Sequence, residues 1–280
     1  MKKIFFTPFM VLFILLWVSC SQGNYPQSGI VRKAYKTNLK RMRTGYNHFV
    51  PVNLPLDSLG AKQWDAPSPN FDIRTPDLVI IHYTEENSCP QALYTLTNPN
   101  TNRKVSANYL ICKDGTVFKL VDERYRAWQA GLSRWGNFNN INSISMGIEL
   151  DNTGKEPFSE KQIASLLVLL HTIKSRYYIP TGNFIGHADV TPTRRADPGT
   201  YFPWEELAAQ GFGYWRDSVL PALPDGFDYK TDLRLIGYDI RDTAAAIVAF
   251  KRHFIQNDTT PVLTGYDKQV LNDIFLKYDQ

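Results

Sequence analysis

In the stretch IGHADVTPTRRADPGTYFPW, Ile185 to Trp204, a histidine and an aspartate, His187 and Asp197, stand ten residues apart. Three prolines and two glycines crowd the segment, so it reads as an ordered loop rather than a helix. Imidazole and carboxylate are both metal ligands, and the cations Arg194 and Arg195 come just before the carboxylate. A surface turn with a local ion pair is the competing reading of these residues alone. A catalytic zinc site takes three protein ligands and leaves the fourth position to water, so one more ligand is needed. His82, near the end of LVIIHY, would hold a ring at the edge of a rigid sheet. His48 lies in the lead-in and His253 near the C-terminus, and neither is an obvious third ligand.

A carboxylate beside such a centre adds proton transfer. Along SMGIEL, Ser145 to Leu150, side chains alternate faces, so Gly147 and Glu149 share one face. Gly147 is expected to leave room for a substrate beside Glu149. Glu149 is placed to take a proton from a metal-activated water and return it to a leaving amine. Arg195 would aim positive charge at a developing oxyanion. Together these residues describe a zinc hydrolase acting on an amide or ester. In isolation Glu149 reads equally as a strand-end residue hydrogen-bonded to a loop.

The elements that must position these groups are legible in outline. LVIIHY, Leu78 to Tyr83, is a β-branched apolar run suited to a strand buried on both faces. Asn108 to Val121 reads as two strands turning at Asp114-Gly115. Ser143 to Leu150 is another strand. Ser159 with Gln162 forms a capping-box pattern ahead of Ile163, Leu166, Leu167, Leu170 and Ile173 at helical spacing. Strands alternating with a helix predict an α/β domain. Beyond a Pro-containing connector, three short helical stretches follow in residues 228–280, a unit small enough to need packing against its neighbour.

The N-terminus sets the compartment. Met1-Lys2-Lys3, an apolar run from Ile4 to Val18, and Ser19-Cys20 resemble a secretory signal ending in a bacterial lipoprotein box. That resemblance implies export, lipidation of Cys20, and anchoring to a bacterial membrane, with the outer membrane facing the periplasm as the expected site. A plain signal peptide or an uncleaved anchor is the competing reading. Residues 21–70 read as a linker and irregular lead-in, with a cationic cluster at Arg32, Lys33, Lys36, Lys40, Arg41 and Arg43. The cluster is expected to be a solvated tether near anionic head groups or wall polymers. A net charge of +4 on 280 residues is too small to argue for nucleic acid. Cys89 and Cys112 form no zinc-type cysteine pattern and are able to pair in an oxidising compartment.

Read together, LVIIHYT, VSANYLICKDGTVFKLVDERYRAWQAGLSRWG, NSISMGIELDN and IGHADVTPTRRADPGTYFPW resemble the type-2 N-acetylmuramoyl-L-alanine amidase family. The resemblance covers about 130 residues in order. It implies a mixed central β-sheet flanked by helices over residues 71–215, one Zn2+ held by His82, His187 and Asp197, and Glu149 as the catalytic carboxylate. Residues 228–280 resemble the small all-helical peptidoglycan-binding domains that accompany such amidases. The implied reaction is hydrolysis of the amide between the muramic or anhydro-muramic lactyl group and L-alanine, with peptidoglycan or muropeptides as partners.

Three positions depart from the family pattern. Arg195 stands where lysine is usual, and arginine does not readily give up a proton. Asn108 and Gln129 stand where histidine is common, and these two changes are expected to bear on substrate contacts or rate. Trp128 and Trp135 are candidate faces for sugar or peptide. A non-catalytic peptidoglycan-binding protein on the same fold is the chief alternative. A zinc peptidase is the lesser one, since no HExxH motif is present.

Overall fold

The computed structural model describes residues 28–47, 75–102 and 104–279. Cys20 and His48 lie outside the described residues. The chain divides into two compact units, Met1–Val52 and Asn53–Gln280. In the first, helix α1 spans Ser28–Asn47. This corrects the expectation of an irregular lead-in. The segment has no proline, and its Lys, Arg, Leu, Met and Ala residues are good helix formers. Arg32, Lys36, Lys40 and Arg43 recur at three- and four-residue spacing, which gathers them on one face. Among the described residues, no helix is long and apolar enough to cross a membrane.

The second unit is built on a five-stranded sheet. Its strands are β1 (Leu78–Tyr83), β2 (Tyr109–Ile111), β3 (Val117–Lys119), β4 (Ser145–Leu150) and β5 (Phe184–Gly186), in the order β3-β2-β4-β1-β5. β1 lies between β4 and β5 and is parallel to both; β2 is parallel to β4, and β3 closes the edge antiparallel to β2. The β2–β3 turn is the expected one, with Gly115 in the left-handed region at φ +89°. This is the mixed sheet expected from the sequence.

Side-chain alternation sorts the core into two layers. Val79, Ile81, Met146, Ile148 and Leu150 face helix α3 (Glu160–Tyr177), which contributes Ile163, Leu166, Leu170 and Ile173. Ser159 caps α3 by accepting from the Gln162 amide, as expected. The Gln162 side chain does not complete a box; it donates to the carbonyls of Ile111 and Asp151. Buried carbonyls at the sheet end need a donor, and the helix end is already capped by Ser159.

Leu78, Ile80 and Ile185 face the opposite way, against α6 (Tyr229–Ile236), α7 (Thr243–Phe254) and α8 (Gly265–Tyr278). Leu233, Ile236, Ile247, Phe250, Phe254 and Ile274 complete that layer. The C-terminal helices thus share one core with the sheet inside one compact unit. Helix α2 (Cys89–Thr97) is tied to the sheet by a Cys89–Cys112 disulfide, Cα atoms 5.5 Å apart.

Candidate metal centre

In open sheets of this kind the site lies beyond the carboxyl ends of the parallel strands. Here His82 and Glu149 are the next-to-last residues of β1 and β4, and the two are register partners across the ladder. Parallel partners point to the same side, so the imidazole and carboxylate open into one cleft. Tyr83, Thr84, Ala92, Thr95, Leu96, Trp128, His187, Arg195 and Asp197 also line it. β5 runs directly into the one-turn helix α4 (His187–Val190), which delivers His187 beside His82. Apart from that turn, the segment to Phe202 is the ordered loop expected, and helix α5 (Trp204–Ala209) follows it. The Ala188 amide donates to the Asp197 carbonyl at 2.8 Å and pulls Asp197 back toward His187.

The result is a tight triangle. His82 Nδ1, His187 Nδ1 and Asp197 Oδ2 are 3.0 Å from one another on every side. All three residues are buried, at 2%, 4% and 5% exposure. Four ligands at tetrahedral corners about 2.0 Å from a zinc ion sit about 3.3 Å apart, so the triangle has nearly the size such an ion requires.

Proton bookkeeping makes the same point. Ser145 Oγ donates to the Ile141 carbonyl at 2.7 Å, so it is free to accept from Gln129 Nε2 at 2.8 Å. That fixes the Gln129 amide with Oε1 toward His82, and His82 Nε2 donates to it at 2.7 Å. His187 Nε2 faces the Ala130 carbonyl at 3.4 Å. With both Nε2 atoms facing acceptors, each neutral ring turns an Nδ1 lone pair toward the carboxylate. Three acceptors converge on one point, an arrangement that fits a cation.

The other sequence candidates separate. Glu149 and Arg195 line the cleft, partly buried. Trp128, at 51% exposure, also lines it. Trp135 is corrected: it is 7% exposed, packs edge-on against Tyr238 at 5.1 Å, and belongs to the core beneath the C-terminal helices. Gly147 is also reassigned. A Cβ there would stand 2.6 Å from Gln129 Cγ, so the space is filled by the side chain that props His82. Asn108 is fully buried; it accepts from the Gly147 amide at 3.0 Å and donates to the Val121 and Asp122 carbonyls. Both departures from the family pattern are therefore scaffold, and Gln129 hydrogen-bonds His82 directly.

Residues that sequence reasoning passed over lie behind the loop. Asp189, buried, accepts from the Gly186 amide at 2.7 Å, the Tyr238 hydroxyl at 2.7 Å and His253 Nδ1 at 2.8 Å. Burial first, then the charge of Asp189, pushes the Tyr238 phenol well above its ordinary value, so it stays a donor. Asp189 stood two residues from a suspected ligand, which was a usable signal; nothing in spacing linked it to Tyr238 or His253, 49 and 64 residues away.

Comparison with known proteins agrees with this geometry. Residues 72–200 match the family described as N-acetylmuramoyl-L-alanine amidase. The chain is 34% identical over 211 residues to the Escherichia coli N-acetylmuramoyl-L-alanine amidase AmiD, covering 63% of this chain and 74% of that protein. It is 33% identical over 162 residues to the Enterobacter cloacae 1,6-anhydro-N-acetylmuramyl-L-alanine amidase AmpD, covering 51% of this chain and 87% of that one. The solved complex of E. coli AmiD with anhydro-N-acetylmuramic acid-L-Ala-D-gamma-Glu-L-Lys superposes with a TM-score of 0.66 at 30% identity, over 76% of this chain and 94% of that one.

Proposed function

The chain belongs to the N-acetylmuramoyl-L-alanine amidase family, and on that footing we infer how its cleft hydrolyses the amide between the muramic lactyl group and L-alanine. The observation that carries the reading is the buried triangle of His82, His187 and Asp197, with three lone-pair donors turned to one point. We assign one Zn2+ to those residues. When bound, zinc supplies Lewis acidity that activates water and polarises the lactyl carbonyl.

The chain's own groups do the rest. Glu149, on the strand beside His82, accepts the proton of the attacking water and passes it to the L-alanine nitrogen as the C–N bond breaks. Arg195 sets a fixed positive charge near the carbonyl oxygen, where negative charge builds. Because guanidinium holds its proton, Arg195 acts by charge and hydrogen bonding, and Glu149 carries the proton traffic. Trp128 offers an exposed ring at the cleft rim for the sugar or stem peptide.

Muropeptides with an anhydro-muramic end are the proposed substrates, the class bound by the E. coli relative in its solved complex. Export and lipidation at Cys20 complete the proposal, with the protein held at the outer membrane facing the periplasm. The cationic face of α1 would lie against anionic head groups. Metabolic labelling with a fatty acid tests the anchor: label lost in Cys20→Ala supports it, and an unlabelled parent overturns it. Binding of wall polymer by α6–α8 is part of the same reading.

The decisive experiment uses the chain from Ser21, loaded with zinc and incubated with an anhydro-muramyl tripeptide. Mass spectrometry is expected to find a free peptide beginning with L-alanine, absent with His187→Ala. Intact substrate beside a zinc-bound protein would instead favour a binding protein on the same fold.

A further inference from the structure

We propose that helix α7, with Tyr238, forms the outer wall of the metal centre: His253, Arg252 and Gln256 are positioning residues for the loop that carries His187, Arg195 and Asp197. The inference rests on the metal-site reading above. The loop lacks what holds His82 and Glu149, because after Gly186 it leaves the sheet and has no ladder partner. Its own backbone bonds are mostly local, such as Arg195 N to the Thr191 carbonyl at 3.1 Å. Apart from the Arg134 amide, which donates to the Val190 carbonyl at 2.8 Å, its long-range restraints among the described residues come from side chains.

Those restraints fall along the whole loop. At its start, the Asp189 carboxylate gathers Tyr238, His253 and the Gly186 amide, tying the turn that presents His187 to both β5 and the helices. In its middle, Arg252 Nη1 reaches the Arg195 carbonyl at 3.5 Å. At its end, Gln256 Nε2 donates to the Phe202 carbonyl at 2.7 Å. The His253 ring stacks on Trp204 with centroids 3.8 Å apart and planes 19° apart. Arg252 and His253 stand in the last turn of α7, and Gln256 follows just beyond its end, with φ +67°. His253 is 3% exposed, so it faces the loop and not a wall polymer.

A clip that merely stabilises the fold and one that sets the metal geometry differ in what they change. If α7 positions the ligands, loosening Asp189 tilts the His187 turn and weakens metal binding before the fold is lost. Outer-sphere partners of metal ligands typically tune affinity by about 10–100-fold.

The test uses the chain from Ser21, which keeps every described residue, with Tyr238→Phe, His253→Leu and the rescue variant His253→Asn, whose amide nitrogen can take the place of Nδ1. Zinc affinity is measured by competition with a chromophoric chelator, and Co2+ absorption reports ligand geometry; both are read well below the melting temperature. Tyr238→Phe removes only a hydroxyl, which keeps the test open if His253→Leu fails to fold. We expect at least tenfold weaker zinc binding and an altered Co2+ spectrum in Tyr238→Phe and His253→Leu, with most of the loss recovered in His253→Asn. Unchanged affinity and spectrum beside a lowered melting temperature would overturn the proposal. Failure of the parent chain itself to bind zinc would overturn the metal reading on which it rests.

Discussion

The two arms of the candidate metal centre are held by different physics. His82 and Glu149 stand on neighbouring central strands, and β1 is hydrogen-bonded along both edges, to β4 and β5. That support comes from backbone groups that nearly every residue possesses. His187, Arg195 and Asp197 stand on a segment that has left the sheet, where Asp189, Tyr238, Arg252, His253 and Gln256 take over the ladder's role. One arm is placed by the fold's regular hydrogen bonding. The other is placed by a few side chains distant in sequence, and it is correspondingly easier to disturb.

The largest expected effect removes the support of the loop arm altogether. A chain ending at Trp215 loses Leu233, Ile236, Phe250, Phe254 and Ile274 from the layer covering Leu78, Ile80 and Ile185. Each such side chain contributes about 1.5–3 kcal/mol by burial, against a total stability of about 5–15 kcal/mol. The truncated chain is expected not to fold, as read by near-ultraviolet circular dichroism and gel filtration. A folded, zinc-binding truncation would break the comparison and make α6–α8 a separable module.

On the strand arm, Glu149→Gln should strike chemistry alone. Removing a positioned general acid–base group lowers kcat about 10²–10⁴-fold. Zinc affinity and melting temperature should hold, since the ladder and not the carboxylate places this arm. A parallel fall in zinc affinity would mean that Glu149 also shapes the metal site.

Gln129 joins the two kinds of support, because it rises from a loop yet orients the strand-borne ligand. Gln129→Leu cuts the run from the Ile141 carbonyl through Ser145 and Gln129 to His82, freeing the ring to choose its tautomer. Zinc affinity should fall about 10–100-fold, with KM for the muropeptide nearly unchanged. A raised KM with normal zinc affinity would return Gln129 to the role of substrate contact.

The sequence was most informative where chemistry and periodicity coincide. The β-branched LVIIHY run, the Asp114-Gly115 turn, the Ser159-capped helix and the His, His and Asp that the fold gathers were readable because each follows from local rules. Trp135 and Gly147 were misread for one shared reason. A tryptophan or a glycine near a site suits either a pocket or a packing contact, and only the approach of Tyr238 to one and Gln129 to the other decides. The helix over Ser28–Asn47 was missed because its sequence is mostly polar and has few apolar residues to mark a buried stripe, although its propensity is good. The clamp of α7 on the loop was invisible because it joins residues about 50–60 positions apart with no motif between them.

The smallest expected effect sharpens the comparison from the helical side without touching the site. Asp232, in the first turn of α6, is 8% exposed, and its Oδ2 makes no hydrogen bond among the described residues. Burial, and then the negative charge of Asp228, raises its carboxyl from 3.8 to about 6. Below about pH 4 both folded and unfolded chains hold this proton, so it costs nothing. Between pH 4 and 6 the unfolded chain releases the proton first, and stability falls as pH rises; above pH 6 the full cost persists. Asp232→Asn removes that cost and should stabilise the protein at pH 7 by about 1 kcal/mol after allowance for solvent screening. For a domain of this size that is a rise of about 2–4 °C in melting temperature. The gain should vanish at pH 4, and thermal melts of the two proteins at both pH values test it. An equal gain at both would trace the effect to packing rather than to ionisation. If a stiffer α6 also tightens zinc binding at pH 7 while leaving the response to Glu149→Gln unchanged, the helical layer acts on the loop arm alone.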